Sequence, residues 1–169
     1  MDALNVVYDT QETRAYWKIW VAAIAMTIGL AGFIMLSTAL VLVGEHIAAG
    51  VAHLLGFGEL FTMGWMIVQW PLIIGLMLVA VSVIYYVSPN VEQEWRWVIP
   101  GSLVAVVLWV VVSLAFKLYV ENFGNYNVAS GSLGGGIVLL MWFYLSGIVL
   151  LIGGELNAEI GKAAGRGRP

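Results

Sequence analysis

Glu155 and Glu159 are the residues in this sequence whose type and position could do chemistry. They stand one helical turn apart at the end of a run, 122–154, that holds 33 residues without a charge. Carboxylates at that place could contact a cation or a substrate where a membrane bundle opens. They also sit badly with the negative end of a helix dipole, so a cation should compensate them. Arg14 or Arg96 pairing with Glu155 would do so and seal the end of the bundle; the sequence favours that structural reading. A second group, Glu45, His46 and His53, has the residue types of a metal site but lacks a third or fourth ligand and an outer shell to orient them. No metal and no cofactor is expected. On a helix, His46, Ala49 and His53 share one face, which suits a wet surface. The sequence contains no Walker loop, no Ser-His-Asp set and no dinucleotide fingerprint. Two histidines cannot furnish a two-metal hydrolase centre, and the absence of cysteine excludes thiolate chemistry and disulfides. The chain is not expected to be an enzyme.

The elements that must position these residues are set by composition. Of 169 residues 62% are apolar and 10% charged, far from the quarter or so that a soluble domain carries. The net charge of −3 is small, so nucleic acid is not an expected partner. About 20 apolar residues cross a ~30 Å hydrocarbon core as a helix, and a backbone in lipid must satisfy its own hydrogen bonds. The expected fold is all-α: a polytopic transmembrane helix bundle with four spans at about 19–44, 62–87, 97–118 and 132–156. One transmembrane domain covers 1–161, and 162–169 forms a disordered basic tail. Residues 1–18 contain Asp2, Asp9 and Glu12 and do not read as a signal peptide. They read as a polar helical lead-in. A short interfacial helix is expected at about 45–57, with Ile47, Val51, Leu54 and Leu55 on its apolar face.

Within the spans, Ala22, Ala25, Gly29, Gly32 and Ala39 recur on one face of the first, spacing that lets a second helix approach closely. Gln69 could bond across helices or sit near the headgroups with Trp65 and Trp70; both readings stay open. Pro71 removes the bond to the Ile67 carbonyl and predicts a kink. Pro100 falls in the first turn of the third span, where no donor is needed. Lys117 and Glu121 are placed for an i,i+4 pair. Gly131, Gly134 and Gly135 belong to a glycine-rich stretch expected to turn the chain in an outer loop, roughly 122–131, and to let the last helix start close to a neighbour.

Six basic residues, Arg14, Lys18, Arg96, Lys162, Arg166 and Arg168, fall on one side of the four spans and only Lys117 on the other. The positive excess marks the cytoplasmic side, so both termini are expected there, in a multi-pass plasma-membrane (bacterial inner-membrane) protein. The bilayer is the first partner. A second copy of the chain or another membrane protein is the other.

Several stretches together resemble one family. They are Ala3-Leu4-Asn5-x-x-Tyr8-x-x-x-Glu12-x-Arg14, Tyr85-Tyr86-x-x-Pro89, Pro100-Gly101 with Trp109, and Gly131-Ser132-Leu133-Gly134 leading through Trp142 and Tyr144 to Gly154-Glu155-Leu156-Asn157. The chain is similar to the YihY/BrkB family of inner-membrane proteins, formerly labelled ribonuclease BN-like. The resemblance spans almost the whole chain; Ser130, before the glycines, departs from it. It implies a helical membrane protein for which transport is the role usually proposed, and a chain that begins near where the family's third helix would. It adds Asn5, Glu12, Arg14 and Asn157 to Glu155 and Glu159 as expected substrate or structural polar contacts. A non-transporting scaffold or envelope-maintenance partner is the alternative.

Overall fold

A computed structural model describes residues 1–55, 58–91, 93–123 and 125–164. Five helices follow one another: α1 (Asp2–Val7), α2 (Tyr16–Leu55), α3 (Gly58–Val87), α4 (Trp95–Phe123) and α5 (Asn125–Ala163). There is no strand among the described residues. Four stretches are long and apolar enough to cross a membrane, Tyr16–Gly44, Met63–Val87, Trp95–Asn122 and Gly134–Ala163. The all-helical, four-span architecture is therefore the one the charge-free runs require.

The helices overrun the expected spans. At ~1.5 Å per residue, the 40 residues of α2 reach about 60 Å, twice the hydrocarbon thickness. A separate interfacial helix at 45–57 is not seen, because α2 continues through Glu45 to Leu55. Ala and Leu are frequent in that stretch and no proline interrupts it, so propagation is cheaper than a break. The expected outer loop at 122–131 is likewise helical, since α5 begins at Asn125 and carries Gly131 to Gly136 inside it. Glycine is tolerated in helices that belong to membrane proteins. Pro100 is the sixth residue of α4 and lies inside it, not in the first turn. At the other end α5 extends through Ala163, so Lys162 is helical; the tail residues 165–169 lie outside the described residues.

The sequence suggests one domain over 1–161; the chain clusters into two compact units, Thr13–Val87 and a second made of Met1–Glu12 with Ser88–Pro169. In the first, α2 packs against α3. Gly44 meets Trp65 there: a Cβ at Gly44 would stand 2.9 Å from the indole nitrogen, so only glycine lets the ring lie against the helix. Pro71 is inside α3. Large apolar side chains such as Ile28, Leu42, Ile67 and Trp70 point outward, the reverse of a soluble protein and the arrangement lipid favours.

In the second unit α4 and α5 pack along their lengths and α1 packs on α5. The buried face of α4 is Val98, Ser102, Ala105 and Val106, and that of α5 is Val149, Asn157 and Ala158. These residues place one narrow stripe on each helix. The stripes run antiparallel, since Gly101 faces Gly153 while Trp109 Nε1 donates to Ser146 Oγ at 3.1 Å. Trp142 meets Trp109 edge-on and Phe116 at a tilt, each at 5.3 Å between ring centres. Small residues thus close one end of the pair and aromatic rings fill the other.

Gly101 has no room for a side chain, because a Cβ there would fall on the Gly153 carbonyl oxygen and the Asn157 amide. Gly29, by contrast, would meet nothing within 4 Å. Gly101→Ala should therefore destabilise the folded protein by about 1–3 kcal/mol through overpacking, while Gly29→Ala should be neutral or stabilising by up to ~1 kcal/mol from helix propensity. Thermal unfolding of the two variants in the same detergent checks both, and equal melting temperatures would contradict the packing described.

Candidate functional site: the Asn157 clamp and the lead-in

Proline inside a helix has no N–H to give, and its ring crowds the carbonyl four residues back. In α4 that residue is Pro100 and that carbonyl belongs to Arg96. The disturbed turn is held from across the helix pair by one side chain. Asn157 Oδ1 accepts from the Gly101 backbone N–H at 2.7 Å, and Asn157 Nδ2 donates to the Val98 carbonyl at 3.0 Å. Ser102 Oγ donates to the same carbonyl at 2.9 Å. All of this is buried, with Asn157 only 3% exposed and Ser102 fully enclosed. An amide is the group that fits: it carries a donor and an acceptor on one planar head, matched to one N–H and one C=O.

The lead-in meets the segment before α4 through a second set of amides. Asn5, 4% exposed, donates from Nδ2 to Glu12 at 3.0 Å and accepts at Oδ1 from the Asn90 backbone N–H at 2.8 Å. Asn90 Nδ2 donates to the Gln11 carbonyl at 2.9 Å, and Thr10 Oγ1 donates to the Asn90 carbonyl at 3.3 Å. One residue, Asn90, is thus gripped through its N–H, its carbonyl and its side chain. Between the two sets lies Tyr8. Burial pushes its phenol up to about 12, against a smaller opposing influence of the nearby Asn157 amide. Its hydroxyl is enclosed without a well-formed hydrogen bond.

Of the polar residues expected from the sequence, Asn5 and Glu12 are brought into contact and Asn157 is the centre of the clamp. Glu155 is exposed. Arg96, one of its two expected partners, pairs with Glu94 at 2.6 Å instead: two residues apart at the start of α4, they meet without a long-range approach. Arg14, the other, belongs to the first unit, where its guanidinium donates to the Val87 carbonyl at 3.0 Å. Glu159 pairs with Lys162 at 3.1 Å on the exposed surface, and Lys117 pairs with Glu121 at 3.7 Å; such exposed pairs contribute little. Gln69 keeps its side-chain oxygen buried and without a hydrogen-bond partner, so that oxygen makes no cross-helix bond.

The glycines divide as well. Gly29, Gly32 and Gly135 have nothing within 4 Å of a Cβ position, so no neighbour among the described residues uses the small-residue face of α2. Gly134 is buried, and the surroundings of Gly131 lie outside the described residues, as do the side chains of Glu45, His46 and His53. Among the described residues no group of three or more His, Asp or Glu could hold a metal ion.

Reasoning from sequence missed Asn90, Tyr8 and the role of Gly101. Tyr8 and Gly101 stand within the family-like motifs, which assign them no contact. Asn90 follows Pro89 in a polar turn, and nothing in its type distinguishes it from a solvated turn residue.

Comparison with known proteins bears on what this arrangement serves. The family model described as "Virulence factor BrkB" matches residues 1–169. The ribonuclease-like protein YfkH of Bacillus subtilis (strain 168) is 36% identical over 160 residues, 95% of this chain and 58% of that protein. A UPF0761 membrane protein of Tolumonas auensis is 33% identical over 87 residues, 52% of this chain and 29% of that one. Another, from Alteromonas mediterranea, is 35% identical over 89 residues, 53% and 30% of the two chains. The chain thus spans less than two thirds of the length of these relatives. No solved structure matches it.

The phenol of Tyr8 gives a pH signature. Its folded value lies above the ordinary 10, so the stabilising difference is complete below pH 10 and is lost as pH rises through about 12. A tyrosinate absorbance titration of the folded protein should include an ionisation about two units late, and Tyr8→Phe should lower the late amplitude by one tyrosine. A late amplitude unchanged in Tyr8→Phe would contradict the burial assigned to this hydroxyl.

Proposed function

This chain belongs to the BrkB virulence factor family, as a multi-pass protein of the bacterial inner membrane, and on that premise we propose that it is a transporter-like membrane protein rather than an enzyme. The observation that supports this most is the character of the α4–α5 pair: a proline-containing turn of one helix whose backbone is hydrogen-bonded by a buried side chain of its neighbour. Non-ideal backbone buried within a membrane protein is tolerated where protein or a cavity satisfies it, and transporters build their sites there. Glu155, two residues before the clamp and exposed, is the carboxylate placed to meet a cation or a polar substrate. The distribution of lysine and arginine supports a topology with both termini, and so Glu155, on the cytoplasmic side.

The ribonuclease-like name of YfkH is not carried over. Among the described residues no three His, Asp or Glu side chains gather to hold the ion that metal-assisted cleavage of RNA needs. The charge-free middles of all four spans and the open glycine faces of α2 favour the second reading, a non-transporting scaffold that packs against another membrane protein. In that case a stable partner should be recovered by crosslinking.

Flux into liposomes separates the two. Protein reconstituted and tested against a panel of cations, anions and small polar solutes should pass at least one of them faster than empty vesicles do. Glu155→Gln should lower that flux by about tenfold, the effect of losing one charged contact worth ~1.5 kcal/mol. Equal flux with and without protein across the panel would overturn the transport reading in favour of the scaffold.

A further inference from the structure

We infer that residues 1–12 form a releasable strap over the polar end of the α4–α5 pair, latched shut through Asn5 and Asn90. The latch is polar and local. Asn5 bonds the Asn90 backbone N–H, Asn90 returns a bond to the Gln11 carbonyl, and Thr10 reaches the Asn90 carbonyl. Three of the strap's contacts therefore converge on a single residue of the chain ahead of α4, and losing that residue's geometry frees them together.

What the latch closes is the clamp. α1 packs on α5, Leu4 and Asn5 are its buried residues, and Tyr8 lies beside Asn157. Asn157 in turn shares the Val98 carbonyl with Ser102. Lifting the strap uncovers the face of α5 beside Asn157, a polar side chain in an otherwise apolar helix pair.

The strap also carries strain, as a device that must open does. Asp9 has φ +51°, the left-handed region that disfavours an L side chain. It is the one non-glycine residue with positive φ among the described residues. Its neighbour Tyr8 buries a hydroxyl without a well-formed hydrogen bond, an arrangement that opposes closure. Two unfavourable features thus sit side by side in the segment that the Asn5–Asn90 bonds hold down, as expected for a two-state element. The strap is a property of the α4–α5 unit and does not depend on whether anything is transported.

Thiol labelling tests it, since the chain has no cysteine. Leu4→Cys, on the buried face of α1, is introduced as the single thiol and its reaction with a hydrophilic methanethiosulfonate is timed in reconstituted vesicles permeable to the reagent. Val149→Cys, buried in α5 but away from the strap, serves as the control. Leu4→Cys should label slowly in the otherwise unaltered chain. Adding Asn5→Leu should speed labelling by about tenfold or more, the effect of two lost hydrogen bonds, and leave Val149→Cys unchanged. Asp9→Gly, which relieves the backbone without touching the latch, should slow labelling below the starting rate, and it decides the matter if Asn5→Leu fails to fold. The strap is overturned if the rate at Leu4→Cys ignores both changes, if it rises in Asp9→Gly, or if Val149→Cys accelerates in step with it.

Discussion

A backbone amide in an apolar medium has no water to fall back on, and a proline inside a helix disturbs the ladder that would satisfy it. Pro100 does this inside α4. The carbonyl it deprives is that of Arg96; within the same turn the Asn157 amide adds one acceptor for Gly101 and one donor for Val98. The rest of the α4–α5 unit depends on that exchange. The two helices must come close enough for a short side chain to reach backbone, which requires glycine at 101 facing Gly153. Their antiparallel register is then fixed, and the rings of Trp109, Trp142 and Phe116 fall together farther along. A leucine at 157 would bury as well, yet it would give up both hydrogen bonds, at about 0.5–1.5 kcal/mol each.

The same amide head sets the conditions for the lead-in. Tyr8 comes to rest beside it, and the segment that brings Tyr8 there is held by Asn5 and Asn90 rather than by apolar contact alone. Polar contacts of this kind are directional and fail abruptly when geometry changes, whereas apolar packing degrades gradually. An apolar helix pair with a polar, latched end is a structure in which one end can change while the other holds.

The fold was legible in the sequence because membrane helices announce themselves by length without charge. Runs such as 19–44 and 122–154 admit one secondary structure in lipid. Helix ends were less legible: the sequence places a break at Glu45 and a loop near Gly131, and both stretches are helical. Charge and glycine signal where a membrane surface or a turn can be, while a helix continues past them unless a stronger breaker stands in its way. The site was half legible. Asn5, Glu12 and Asn157 could be named through family resemblance, but the pairing expected from charge alone, Arg96 with Glu155, gave way to Arg96 with Glu94. Contacts between an amide and a backbone leave no mark in a sequence, since one partner has no side chain; that is why Gly101 and Asn90 were not singled out.

Hydrogen exchange at the Gly101 amide reads out whether the Asn157 side chain satisfies α4 at the turn around Pro100. In the intact protein that amide should exchange slowly. In Asn157→Leu it should exchange about tenfold faster or more, as for the loss of one net hydrogen bond of ~1.4 kcal/mol, while the amide of Ala105, one turn deeper, stays protected. Exchange at Gly101 that is already fast in the intact protein, or that is unchanged in Asn157→Leu, would show that the clamp does not hold this turn.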